Sequence, residues 1–169
     1  MFDTFVEELI TVHTTGKILL AKIGIVLAVI VLTIAVFWFI PAILPLMFSV
    51  FVVGAYFAIK LLNVEYEYAF TNGELDVDKI MGKRKRKRMV STDCKSIKLM
   101  APYTADYESD ATAYNVEYTH DFSASPSAAG RWFIIFEDKD GKLCFMVMQP
   151  SEKLRTAMKS YLRQKMKGM

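Results

Sequence analysis

Histidine and cysteine are scarce in this chain. His13, His120, Cys94 and Cys144 are the whole supply, and their separations match no zinc spacing. There is no glycine-rich phosphate loop and no serine or cysteine nucleophile signature. These absences remove the common motif-bearing enzyme classes, so no catalytic residue, metal or cofactor is expected. Charge is missing from one long stretch, because no Asp, Glu, Lys or Arg occurs between Lys22 and Lys60. A bilayer core needs about 20 apolar residues per helix, so this stretch is too long for one span and suits two. Its length, and the lack of a basic segment before it, argue against a cleaved signal peptide. So long an uncharged run also argues against a pair of buried helices in a soluble protein.

The few prolines are informative. Pro41 and Pro45 in "IPAILP" break the apolar run, since proline lacks the N–H and disfavours helix at the residue before it. Spans are expected near Lys17–Ile40 and Leu46–Leu62. The proline turn carries no charge, whereas Lys17, Lys22, Lys60 and a later basic block all lie on the other side. The positive-inside rule then places the protein in the cell membrane with both termini cytoplasmic. In that reducing compartment Cys94 and Cys144 are expected as buried thiols, not as a disulfide.

Ahead of the spans, "FDTFVEELITVH" places Phe2, Phe5, Val6, Leu9, Ile10 and His13 at helical spacing, and Thr4 with Glu7 has the capping-box pattern. A short amphipathic helix at the membrane interface is expected there. Its polar face is acidic, so packing on the chain's own soluble domain is an equal alternative. After the spans the period becomes two. "VEYEYAF", a turn at Asn72-Gly73 and "ELDVDKIM" read as a β-hairpin. "KRMV" and "CKSIKLM" are further strand candidates. Residues 101–130 hold five acidic residues and no Lys or Arg, and read as a long, partly mobile loop with a short strand near Tyr114–Tyr118. "RWFIIFE" and "LCFMVM" flank a second hairpin turn at Asp140-Gly141. Pro150-Ser151 opens a helix with Ser151 as N-cap and an apolar stripe through Leu154, Ala157, Met158, Tyr161, Leu162 and Met166.

The order is two membrane helices, about seven short antiparallel strands and one closing helix. Two spans, then "YEYAFTNGELDVDKIMGKRKRKR", further strands and a "PSEKL" helix resemble bacterial membrane proteins that carry a pleckstrin-homology (PH)-like domain. Within these the chain is most similar to an uncharacterised Firmicutes family. The resemblance implies an α+β membrane protein: a transmembrane helical hairpin, then a PH-like antiparallel β-barrel capped by a C-terminal helix. The expected boundaries are 1–16 for the interfacial helix, 17–62 for the hairpin turned at 41–45, and 63–169 for the cytoplasmic domain with its acidic loop 101–130. No activity comes with the resemblance, because a PH-like fold hosts many functions. Phosphoinositide-binding PH domains carry spaced cations around their first hairpin loop. Here that loop is "TNGE", so specific inositol-phosphate recognition is not expected.

The most distinctive local feature is Lys83, Arg84, Lys85, Arg86, Lys87 and Arg88, six cations in a chain of net charge +3. If the first strand leaves along the membrane normal, the hairpin returns this run to the headgroups. There each cation near anionic lipid is worth about 1 kcal/mol. Three alternatives stand beside lipid contact. The run could serve only as a topology signal, could pair with Asp106, Glu108 and Asp110 of the acidic loop, or could bind nucleic acid. The last is disfavoured, since the neighbouring aromatics belong to a strand face and do not interleave with the cations. Two functions follow: a non-enzymatic membrane-anchored binding or scaffold module, or a subunit of a larger membrane complex contacted through the hairpin. A protein partner would dock at an open sheet edge or beside the C-terminal helix. Gly24 and Gly54 are candidates for close helix approach. "DKDGK" at 138–142 lacks calcium ligands at the first and last loop positions, Phe136 and Val147, so it reads as a turn. His120-Asp121 is an isolated loop pair.

Overall fold

A computed structural model describes residues 3–168. The chain forms two compact units. A helical unit holds residues 13–64 and 81–85, and a β unit holds the residues up to Val12, Glu65–Ile80 and those from Arg86 onwards.

In the helical unit, α1 (Gly16–Phe39) and α2 (Leu44–Leu61) are joined by a 3-10 turn at Pro41–Ile43. Pro45 sits in the first turn of α2, where its missing N–H costs nothing. Both helices are apolar around their whole circumference, and neither buries a residue. Each is long and apolar enough to cross a membrane.

The β unit starts with a correction. Residues 5–11 are not a helix: they form strand β1 (Phe5–Thr11), antiparallel to β2 (Val64–Thr71) with Val6 opposite Phe70 and Ile10 opposite Tyr66. Phe2 of the expected stripe lies outside the described residues. The physical reason is that a spacing of four fits both periods, so Val6 and Ile10 share a face in a strand as well as in a helix. Strand geometry also turns Glu8 to that face. Its carboxylate is satisfied there, accepting the Ser151 N–H at 3.0 and 3.2 Å. Thr4 caps no helix. Its backbone bonds Asn72 twice, its carbonyl accepting from the Asn72 N–H and its own N–H donating to the side-chain Oδ1.

β3 (Glu74–Met81) returns from the Asn72-Gly73 turn, where both residues have positive φ as the type I′ turn requires. β4 (Lys85–Asp93) completes a four-stranded sheet of order β1-β2-β3-β4. A second sheet has order β5-β7-β8-β6, from β5 (Ile97–Pro102), β6 (Tyr118–Asp121), β7 (Trp132–Glu137) and β8 (Leu143–Met148). Two open four-stranded sheets thus replace the expected single barrel. β6 pairs with β8 in parallel, so the strands are not all antiparallel.

Between the sheets and helix α4 (Glu152–Leu162) lies the main core, with Tyr68, Phe70, Leu75, Ile134, Met146, Leu154 and Met158 fully buried. Burying a side chain of this size stabilises by about 1.5–3 kcal/mol. Ser151 caps α4 as expected, its Oγ accepting the Leu154 N–H at 3.2 Å. The second sheet is buried on both faces, which is why "WFIIFE" and "LCFMVM" read as continuous apolar runs. Leu99, Phe133, Ile135, Phe145 and Val147 form its outer cluster. The acidic segment covers that cluster through Tyr107, Ala111, Tyr114 and Val116. It forms a lid with a 3-10 turn at Ala105–Tyr107 and a short helix α3 (Glu108–Thr112), and its strand begins at Tyr118.

Candidate functional site

The basic run divides between the two units. Its turn belongs to the helical one. Gly82 and Lys83 both have φ near +60°, and the turn closes with the Arg84 N–H donating to the Met81 carbonyl at 3.2 Å. The Gly82 N–H donates to the Asn63 carbonyl at 2.9 Å, just past the end of α2. A Cβ at Gly82 would lie 3.1 Å from the Lys60 carbonyl oxygen, so close approach and positive φ both call for glycine here. Other cations gather at the same place. Lys22 Nζ donates to Asn63 Oδ1 at 3.0 Å, and the Lys60 ammonium lies 5.8 Å from the Tyr56 ring centroid. The Arg84 guanidinium lies 5.9 Å from the centroid of Phe57, one helical turn inside the end of α2.

The rest of the run is in strand β4, which contains the expected "KRMV" strand and begins two residues before it. Two of its cations have internal partners. Arg86 donates to Glu67 at 2.5 Å and lies 3.7 Å from Asp78. Arg88 pairs with Asp76 at 2.6 Å and, through Nε, with Asp78. Glu67 and Asp78 are only 4% exposed, whereas both arginines keep about half their side chains in solvent. Burial raises the Glu67 carboxyl above the usual range; Arg86 opposes that rise, and Glu7 and Asp78 add to it. The hydrogen bond to Asp78 raises the Arg88 guanidinium further. Lys83, Arg84, Lys85 and Lys87 make no ion pair among the described residues.

The alternative pairing with the acidic loop is not formed among the described residues. Asp110 pairs with Lys167 at 2.9 Å and Asp121 with Arg131 at 2.6 Å. The carboxylates that meet the basic run lie on β2 and β3. A cross-strand charge rule applied to the polar faces of "VEYEY" and "ELDVD" would have found them. Gly24 and Gly54 do not bring α1 and α2 together, since a Cβ on either meets nothing within 4 Å.

The remaining sequence candidates have structural roles. Asp138 Oδ1 accepts the Asp140 and Lys142 N–H groups, making "DKDGK" the hairpin turn expected. His120 stacks on Phe122 with ring centroids 5.7 Å apart. Both cysteines are buried free thiols, and burial pushes Cys94 up to about 12, far from a reactive thiolate.

A family model described as a bacterial PH-like domain (DUF6106) matches residues 2–168. The chain belongs to this family. No curated protein and no solved structure matches it. The family match runs through both apolar helices, so in this bacterial PH-like protein the helix pair is an insertion between the first two strands of the domain. PH-like domains are typically non-catalytic.

Proposed function

We propose that this PH-like protein is a non-enzymatic module anchored in the cell membrane by α1 and α2, with both termini cytoplasmic, and that its basic turn holds it against anionic lipid. The observation that carries the reading is the bond from Gly82 to Asn63. It ties the turn to the residues just past the end of α2, with Arg84 beside Phe57 at the level where that helix would leave the hydrocarbon. Lys83, Arg84 and Lys85 of that turn are the lipid-facing cations, while Arg86 and Arg88 serve the fold. Three cations near an anionic surface supply about 3 kcal/mol, modest as an anchor by itself. β1 completes the first sheet, so the test uses the full chain in nanodiscs. A spin label at position 85 should approach the headgroups as the anionic lipid fraction rises, and should retreat at high salt. Equal depth in neutral and anionic discs would leave the run as a topology signal only.

A second reading, a subunit of a larger membrane complex, is favoured by the helix pair burying none of its residues and by the open space beside Gly24 and Gly54. Crosslinking in native membranes tests it, and recovery of the chain alone would count against it.

A further inference from the structure

The acidic lid does more than cover the second sheet. Between it and the outer face of that sheet is a cleft of about 690 Å3, within the size range of small-molecule sites. Tyr103, Tyr114 and Phe145 supply aromatic surface, and Glu108 is the only charged residue in the lining. Tyr103 and Phe145 pack edge-to-face at 5.9 Å, and Phe145 stacks on Phe133, so this wall is rigid. Along the cleft the side chains of Glu108, Tyr103, Tyr114, Asn115 and Thr119 make no hydrogen bond among the described residues. Lys142 pairs with Glu117 and Lys167 with Asp110, while Arg131 pairs with Asp121 from its place over the Tyr103 ring. Tyr103 already carries one cation, the Arg131 guanidinium, 4.8 Å from its ring centroid.

We infer that this cleft binds an organic monocation with an apolar or aromatic body, of the quaternary-ammonium kind. Ring faces attract a cation through their negative quadrupole, and the attraction grows as water is removed. A carboxylate without a partner at the rim adds to it. Anions are disfavoured by Glu108 and the neighbouring Asp106. A hard metal ion needs several oxygen ligands, and one carboxylate does not supply them. A neutral aromatic would use the floor and leave the carboxylate idle. This site lies wholly in the β unit and is independent of the lipid-facing turn.

The test uses the full chain in maltoside micelles, with methyl NMR at Ala111 and Val116 reporting on the cleft. Benzyltrimethylammonium should shift both signals and saturate at roughly millimolar concentration. Benzoate should not shift them. Glu108 is exposed and its side chain bonds nothing, so Glu108→Gln should leave the fold intact while weakening the cation roughly two- to fivefold. Ala111→Trp, which fills the cleft, should abolish the shift at Val116. No shift with the cation, equal shifts with benzoate, or an unchanged affinity in Glu108→Gln would each overturn the inference.

Discussion

Replacing Arg88 by Gln isolates what the internal ion pairs contribute. The substitution removes the partner of Asp76 and the closest partner of Asp78, leaving Asp78 with Arg86 at 3.7 Å. Stripping the partner from a fully buried charge pair costs about 3–5 kcal/mol. Arg88 keeps half its side chain in water, and solvent screening lowers that figure. We expect about 1.5–3 kcal/mol, between the cost of an orphaned buried acceptor and that of a buried ion. For a β unit of this size, each kcal/mol lowers the melting temperature by about 3–6 °C, so a loss of roughly 5–18 °C is expected. Thermal unfolding in micelles, followed by Trp132 fluorescence, measures it, since Trp132 is buried in β7. Lys87→Gln is the control and should stay within about 0.5 kcal/mol. Adding Asp78→Asn to Arg88→Gln should recover part of the loss, because the stranded charge is gone. If Arg88→Gln and Lys87→Gln melt together, the carboxylates are solvated and the division of the basic run is wrong.

Two further predictions concern the same region. Glu67 holds its proton to higher pH in the folded chain than in the unfolded one, because burial disfavours its charge. Stability should therefore fall as pH rises from the ordinary glutamate range through the raised Glu67 value; Glu67→Gln should remove that decline, and a melting-temperature difference from wild type that is flat with pH would contradict it. Gly82→Ala should cost about 1–2 kcal/mol for its left-handed backbone and more for crowding Lys60. Gly24→Ala in α1 meets nothing and should be neutral or slightly stabilising, and hydrogen exchange across residues 81–85 distinguishes the two.

Much of this architecture could be read from residue patterns, and the parts that could not have identifiable causes. The charge-free stretch and its prolines located α1 and α2 to within a few residues, because no other arrangement accommodates so long an apolar run. Asn72-Gly73, Asp140-Gly141 and Ser151 signalled their turns and cap through chemistry that is local. β1 was misread because Val6 and Ile10 fit a helix and a strand equally, and the arbiter is β2, more than 50 residues away. β4 was legible only through its "KRMV" segment, since the cations before it show no apolar alternation. Six adjacent cations look solvated until Glu67, Asp76 and Asp78 are placed beside them by sheet pairing. The lid was obscured by composition, since its acidic residues mask the apolar contacts of Tyr107, Ala111 and Val116. For the same reason the aromatic cleft left no trace in the sequence.

The insertion of the helix pair between β1 and β2 has a consequence for biogenesis. β1 is synthesised first and waits, unpaired, until both apolar helices and β2 have followed it from the ribosome. Its ladder then sets Thr11 opposite Glu65, with a few residues leading to Gly16 on one side and from Leu61 on the other. If α1 and α2 both cross a bilayer, as proposed, that ladder closes only after an even number of crossings. A chain with one helix left out would then hold β1 and β2 on opposite sides of the membrane, and the first sheet would lack its edge strand.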